Sequence, residues 1–327
     1  MIKQINFEFP LENSKEMQIL AGSQDKFLLA LEEGLGISIS QQNNSIILNG
    51  DEKKVAGAKL VISELLKLIR RGVTISSSDI ASAISMQKKG TIEYFHELYS
   101  EILLNDAKNR PIRVKNFSQR KYIQSIRNNQ ITVSIGPAGT GKTFLAVAMS
   151  LAFLKHEEIE KIIITRPAVE AGESLGFLPG NFKEKVDPYL RPIYDALSEI
   201  IGSERSAKMI DRDIIEVAPL AYMRGRTLNN SFIILDEAQN TTPPQMKMFL
   251  TRLGFNSKMI ANGDISQIDL PKGTGQSGLV QAYKILNNIK SIGTIQFSHE
   301  DVVRNPLVGL IVKAYDEYDK NRKKLKK

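Results

Sequence analysis

A parallel α/β domain preceded by a small α+β domain is the predicted fold class, and three observations predict it. Beyond Asn116, the apolar runs ITVSIG, KIIITR, DIIEVA, SFIILD, SKMIANGD and TIQFSH alternate with helical segments, as strands linked by crossover helices do. A glycine-rich loop, GPAGTGKT, stands between the first of these runs and a helix. Ahead of them, residues 1–72 read strand, helix, helix, strand, strand, helix.

The N-terminal elements follow from periodicity. Ile5, Phe7 and Phe9 alternate with polar residues, which predicts a half-buried strand. Met17, Ile19 and Leu20 mark a helix ending at Gly22, and Asp25 is placed to cap a second one carrying Phe27, Leu28, Leu31 and Leu35. ISIS, the polar turn QQNN and SIILNG read as a hairpin. Val55, Ala58, Val61, Ile62, Leu65, Leu66 and Ile69 then recur at helical spacing. This order resembles the KH fold of single-stranded nucleic-acid binding modules, with residues 22–25 at the loop between the first two helices. A KH loop reads G-x-x-G and clamps a nucleic-acid backbone. Here it reads Gly22-Ser23-Gln24-Asp25 and ends in a carboxylate that repels phosphate, so RNA binding and a scaffold role both stay open. Residues 73–115 read as a connector: TISSSDIASAIS is polar and turn-prone, TIEYFHELYSEILL is helical, and NDAKNRPIRVKN is basic with a proline.

Composition narrows the function classes. The 327 residues contain no cysteine and three histidines, which excludes disulfides and thiolate metal sites and argues against a structural metal. The first residues lack the apolar core of a signal peptide, and no run approaches the roughly 20 apolar residues of a membrane span, so a cytoplasmic location without membrane association is expected. A formal net charge of +8 favours polyanionic partners, although part of the excess lies in the terminal NRKKLKK.

Gly136, Pro137, Ala138, Gly139, Thr140, Gly141, Lys142 and Thr143 satisfy G-x-x-x-x-G-K-[ST] in its strand-to-helix context. The glycines let backbone N–H groups curl inward, and the helix N-terminus adds a field favourable to an anion. Lys142 is then placed to bridge the β- and γ-phosphates of a nucleotide, and the Thr143 hydroxyl to bind Mg²⁺. In FIILDEAQN, a run of apolar residues delivers Asp236 to the same sheet edge as a second Mg²⁺ group. Glu237, next in the chain, is the candidate for deprotonating an attacking water. A nucleoside triphosphate is the expected substrate and Mg²⁺ the expected cofactor.

With these motifs in place, the chain resembles the PhoH-like family of P-loop ATPases, whose RecA-like core is similar to one motor domain of a superfamily 1 helicase. The carriers are GPAGTGKT, TRPAVEAGESLGFLPGNFKEKVDPYLRPIYDAL, APLAYMRGRTL, ILDEAQN, QMKMFLTRLG, GDISQIDLP and DVVR, in that order. The resemblance implies an adenine contact by Gln119, with Tyr122 either a stacking neighbour or simply a core residue. It also implies that Gln239 and Gln267 sense the γ-phosphate, and that Asp264 fixes the GDISQ loop. Asn262 stands where the family usually has threonine, which bears on one local hydrogen bond. The implied organisation is a KH-like domain 1–72, the connector 73–115, an ATPase domain 116–322 and a basic tail 323–327.

Four arginines compete for further roles. A guanidinium near the γ-phosphate favours phosphoryl transfer and can come from a neighbouring subunit. Arg304, in HEDVVRNP, is the first choice for catalysis, and Arg224 and Arg226, in YMRGRT, are the next candidates to act in trans. For each, a salt bridge or nucleic-acid contact is an open alternative. Arg166, in ITRP, is assigned to RNA contact. Since the residues after Arg304 are too few for a second motor domain, the missing face is expected from another copy. A homo-oligomeric ring, with a hexamer among the candidates, is therefore anticipated. By resemblance the expected activity is ATP hydrolysis coupled to remodelling of RNA or an RNA–protein assembly, with single-stranded RNA and an endoribonuclease as partners. An ATP-gated adaptor for such a nuclease is the alternative, and a small-molecule kinase is disfavoured by the DEAQ and GDISQ pair.

Overall fold

A computed structural model describes residues 4–99, 101–167, 182–271 and 276–303, with the backbone alone for 182–189. Arg304, the tail 323–327 and most of the TRPAVEAGESLGFLPGNF stretch lie outside the described residues. The chain divides into two compact units, one holding the residues up to Glu101 and the other spanning Ile102–Val302.

In the first unit, β1 (Gln4–Pro10), α1 (Ser14–Ala21), α2 (Lys26–Leu35), β2 (Ser38–Gln42), β3 (Ser45–Asp51) and α3 (Glu52–Arg70) follow the order read from the sequence. The strands form an antiparallel sheet in the order β1-β3-β2. Alternation along β1 turns Ile5, Phe7 and Phe9 to one partly covered face, and α3 buries Val55, Ala58, Val61, Ile62 and Leu65 completely. Each such side chain contributes about 1.5–3 kcal/mol through burial, alanine less. Asp51 caps α3, its carboxylate accepting from the Lys53 N–H at 3.0 Å. Asp25 stands at the corresponding position of α2, but at φ +55° its side chain makes no capping bond. Its Oδ1 instead accepts from Gln41 Nε2 at 3.4 Å.

The segment read as a connector is mostly regular. Serine-rich TISSSDIASAIS forms α4 (Ser77–Lys88), followed by the single turn α5 (Phe95–Leu98), both in the first unit. A capping box starts α4: Ser76 N–H donates to Asp79 Oδ2 at 2.8 Å. Ile80, Ala83 and Met86 then bury one face, outweighing the polar character of the string. The remainder, β4 (Leu104–Asn105) and β5 (Pro111–Ile112), is a short hairpin in the second unit.

The second unit contains the expected parallel sheet. After α6 (Phe117–Asn128) come β6 (Ile131–Ile135), α7 (Lys142–Lys155), β7 (Lys161–Arg166), α8 (Phe182–Ile201), α9 (Ser203–Asp211), β8 (Ile215–Pro219), β9 (Ser231–Leu235), α10 (Pro243–Leu250), β10 (Lys258–Gly263), α11 (Gly278–Leu286) and β11 (Ile292–Gln296). The strand order is β11-β6-β10-β9-β7-β8, all parallel. β6 and β9 are buried along their whole length, as sheets covered on both faces require. The buried Ser134 hydroxyl of β6 donates to Asn262 Oδ1 of β10 at 2.7 Å, which satisfies a polar group inside the sheet. Lys258, at the start of β10, donates to the carbonyls of Ile126, Arg127 and Asn129 at 2.7–3.0 Å, closing the C-terminal end of α6. Among the described residues, no helix is long and apolar enough to cross a membrane.

Candidate nucleotide site

Strand order brings three loops to one edge. Because β10 lies between β6 and β9, the loops leaving the carboxyl ends of all three are neighbours: the glycine loop, GDISQ and DEAQ. Residues of the glycine loop line one cleft together with Asp236, Glu237, Gly263, Asp264 and Gln267.

The loop of residues 136–143 needs its glycines. Gly136 and Gly141 have φ of +155° and +85°. A Cβ on Gly136 would stand 2.5 Å from Phe297 Cβ, and one on Gly141 2.9 Å from Gln119 Nε2. Thr140 is fully buried, its hydroxyl donating to the Pro137 carbonyl at 3.0 Å. The Lys142 ammonium lies inside the curl, donating to the carbonyls of Gly136 at 2.6 Å and Pro137 at 2.8 Å. Gln119 backs the loop from α6: its Nε2 donates to the Thr140 carbonyl at 3.0 Å, and its Oε1 accepts from the Lys115 N–H at 2.6 Å.

At the end of β9, Asp236 is buried, and its Oδ1 accepts from the Thr143 hydroxyl at 2.6 Å. Burial pushes its carboxyl above the ordinary value, with Arg166 and the Thr143 bond pulling the other way. Two oxygen donors, one a desolvated carboxylate, beside a phosphate-type cradle suit a hard cation such as Mg²⁺. Among the described residues no group of three or more His, Cys, Asp or Glu side chains could hold a metal.

Glu237 follows in the left-handed region, at φ +53°, and both its oxygens are engaged. Oε1 accepts from Arg166 Nη2 at 2.6 Å and Oε2 from Gln239 Nε2 at 2.5 Å. Arg166 Nε is also 3.9 Å from Asp236 Oδ2. Asp264 ties the β10 loop to the glycine loop: Oδ2 accepts from the Ala138 N–H at 2.9 Å and from Gln267 Nε2 at 2.6 Å. Its Oδ1 accepts from Ser266 N–H and hydroxyl at 2.9 and 2.6 Å. Burial alone would raise the Asp264 carboxyl, but bonds from Ser266, Gln267 and Ala138 outweigh it and hold the group below the ordinary range.

Several sequence-based assignments need correction. Gln239 is fully buried rather than facing the cleft; its Oε1 accepts from the Asp264 N–H at 3.0 Å while its Nε2 serves Glu237. Its donor and acceptor are both engaged by protein, so that it ties Glu237 to the β10 loop. Gln267 does line the cleft. Tyr122 is core: it is fully buried, its ring packs on Phe297 at 5.6 Å, and its hydroxyl donates to Asn262 Oδ1 at 2.7 Å. Burial raises its phenol well above the ordinary value. Asn262 thus joins Ser134, on its own sheet, to Tyr122 of α6. Arg226 is engaged within its own chain, its guanidinium bidentate on Glu216 at 2.6 and 2.9 Å, whereas Arg224 is exposed. Arg166, assigned to RNA contact, bonds Glu237 in this structure, which leaves that assignment neither supported nor excluded. Ser266 and Phe297 were not anticipated; the aspartate two residues before Ser266 is an Asx-turn signal, while nothing local marks Phe297.

A parallel sheet with a glycine loop, lysine and threonine at its carboxyl edge, and an aspartate on a neighbouring strand end, defines the P-loop nucleotide-binding class. The chain belongs to the PhoH-like family, whose model, described as PhoH-like protein, matches residues 111–316. It is similar to the PhoH-like protein of Bacillus subtilis, 53% identical over 94% of this chain and 96% of that relative. It is also similar to the PhoH-like protein of Synechocystis sp., 45% identical over 96% of each chain. Likeness to a solved structure, the Sulfolobus solfataricus SWI2/SNF2 ATPase core in complex with dsDNA, is slight, with a TM-score of 0.30, 18% identity and coverage of 44% of this chain and 31% of that one.

Proposed function

We propose that this protein hydrolyses ATP in a Mg²⁺-dependent reaction and uses the hydrolysis to remodel RNA or an RNA–protein assembly. The observation that carries the hydrolytic part is the meeting of Thr143 and Asp236 at 2.6 Å beside the glycine loop, with Glu237 next in the chain. Loop N–H groups and Lys142 would hold the phosphates, Lys142 exchanging its carbonyl partners for phosphate oxygens. Mg²⁺, held through Thr143 and Asp236, would neutralise charge on the phosphates. A water oxygen bonds to the γ-phosphorus as the bond to the ADP oxygen breaks, Glu237 takes the proton, and ADP and phosphate leave. The basic charge, the exposed Arg224 and the family resemblance support an RNA substrate. A homo-oligomer, with Arg224 or Arg304 reaching a neighbour's site, belongs to the same reading.

The adaptor reading keeps one observation in its favour, since a glutamate engaged on both oxygens is restrained from acting on water. Phosphate release with and without poly(U), for wild type and Glu237→Gln, separates the two. Hydrolysis predicts a loss on the order of a hundredfold in Glu237→Gln, and stimulation of the wild type by poly(U). Undiminished turnover in the variant removes Glu237 as the base. No stimulation, together with an ATP-loaded variant that still binds an endoribonuclease, selects the adaptor.

A further inference from the structure

Arg166 closes β7 at the level where β8 ends, paired in register with Pro219. The turn that leaves β8 presents Tyr222, 55% exposed, and the exposed Arg224 to solvent. An exposed aromatic side chain and an exposed guanidinium two residues apart are the residue types that hold a single strand by stacking and phosphate contact. One strand further in, the Arg166 side chain is 17% exposed and bonded to Glu237, itself 35% exposed. Arg166 thus ends the strand next to the edge strand while its guanidinium holds the proposed base.

We propose that Arg166 is a latch that couples single-stranded RNA to hydrolysis: it holds Glu237 until an RNA phosphate on the β7–β8 edge takes over its guanidinium. The exchange trades one oxyanion partner for another, so Arg166 stays paired throughout. Freed on Oε1, Glu237 keeps the Gln239 bond on Oε2, which leaves one carboxylate oxygen oriented and the other available to a water. Arg166 is thus a positioning residue acting through Glu237, and this inference rests on Glu237 being the base.

The test compares wild type, Arg166→Ala and Arg166→Lys for phosphate release with and without poly(U), and for poly(U) binding across a salt series. Arg166→Ala should raise turnover without RNA by roughly tenfold, the equivalent of about 1.4 kcal/mol, and bring the stimulation ratio close to one. Arg166→Lys, which keeps the charge but loses the planar fork, should give an intermediate ratio, and it carries the test if the alanine variant fails to fold. The slope of log affinity against log salt should fall by about 0.7 in Arg166→Ala, as loss of one phosphate contact to a single strand requires. Equal losses of basal and stimulated turnover would make Arg166 a transition-state group and overturn the latch, as would an unchanged salt slope. The hydrolytic reading fails separately, if Glu237→Gln turns over like wild type.

Discussion

Replacing Gln239 by leucine distinguishes a phosphate sensor from a buried strut. The glutamine donates to the Glu237 carboxylate at 2.5 Å and accepts from the Asp264 N–H at 3.0 Å, and it has no solvent exposure. A hydrogen bond to a charged group contributes about 1.5–3 kcal/mol, and a buried N–H left without an acceptor costs about 1–3 kcal/mol. Glu237 keeps Arg166 and is partly exposed, so its share falls at the low end, and the expected loss is about 2.5–4.5 kcal/mol. Urea unfolding of the full chain measures it. In phosphate-release kinetics the variant should lose turnover, because Glu237 is no longer oriented, while the ATP KM stays close to wild type, because the glycine loop is untouched. Gln239→Glu should keep the bond from the Asp264 N–H but place a second carboxylate against Glu237, and should likewise lower turnover. An unchanged urea midpoint with an ATP KM raised tenfold would refute the strut and restore the sensor.

The remaining predictions concern stability. Glu216, held by Arg226 and Lys161, has its carboxyl lowered from 4.5 to about 2, chiefly by the Arg226 bond. Since this pKa is depressed in the folded state, its contribution, at most about 3 kcal/mol, is present above pH 4.5 and disappears as pH falls towards 2. Glu216→Gln should therefore lower the urea midpoint at neutral pH and flatten its decline across that acid window. Gly136→Ala should destabilise the second unit and abolish nucleotide binding by fluorescent-nucleotide titration, because the added Cβ would meet Phe297 Cβ at 2.5 Å in backbone that disfavours side chains.

What was legible in the sequence followed local signals. Six apolar runs became six strands, the inner ones because strands covered on both faces need uninterrupted apolar character. The glycine loop was readable because its conformation depends on residues adjacent in the chain. The order of the strands was not, and with it went the contacts that define the site: Arg166 and Glu237 are 71 residues apart, Tyr122 and Asn262 140. Gln239 looked like a ligand group because a glutamine after DEA carries no mark of its own burial, which is set by the Asp264 N–H on another strand. The helix at Ser77–Lys88 was obscured by serines, although Ser76 and Asp79 spell a capping box in the sequence itself.

The position of β10 limits how this protein can move. A strand hydrogen-bonded on both sides cannot slide without breaking two ladders together, and its terminal loop is fastened to Ala138 on one side and Gln239 on the other. The spacing between the glycine loop and the DEAQ turn therefore behaves as a fixed ruler. A nucleotide in the cleft would be measured against that ruler rather than open it, and a response to it would fall to side chains changing partners at the rim of the sheet.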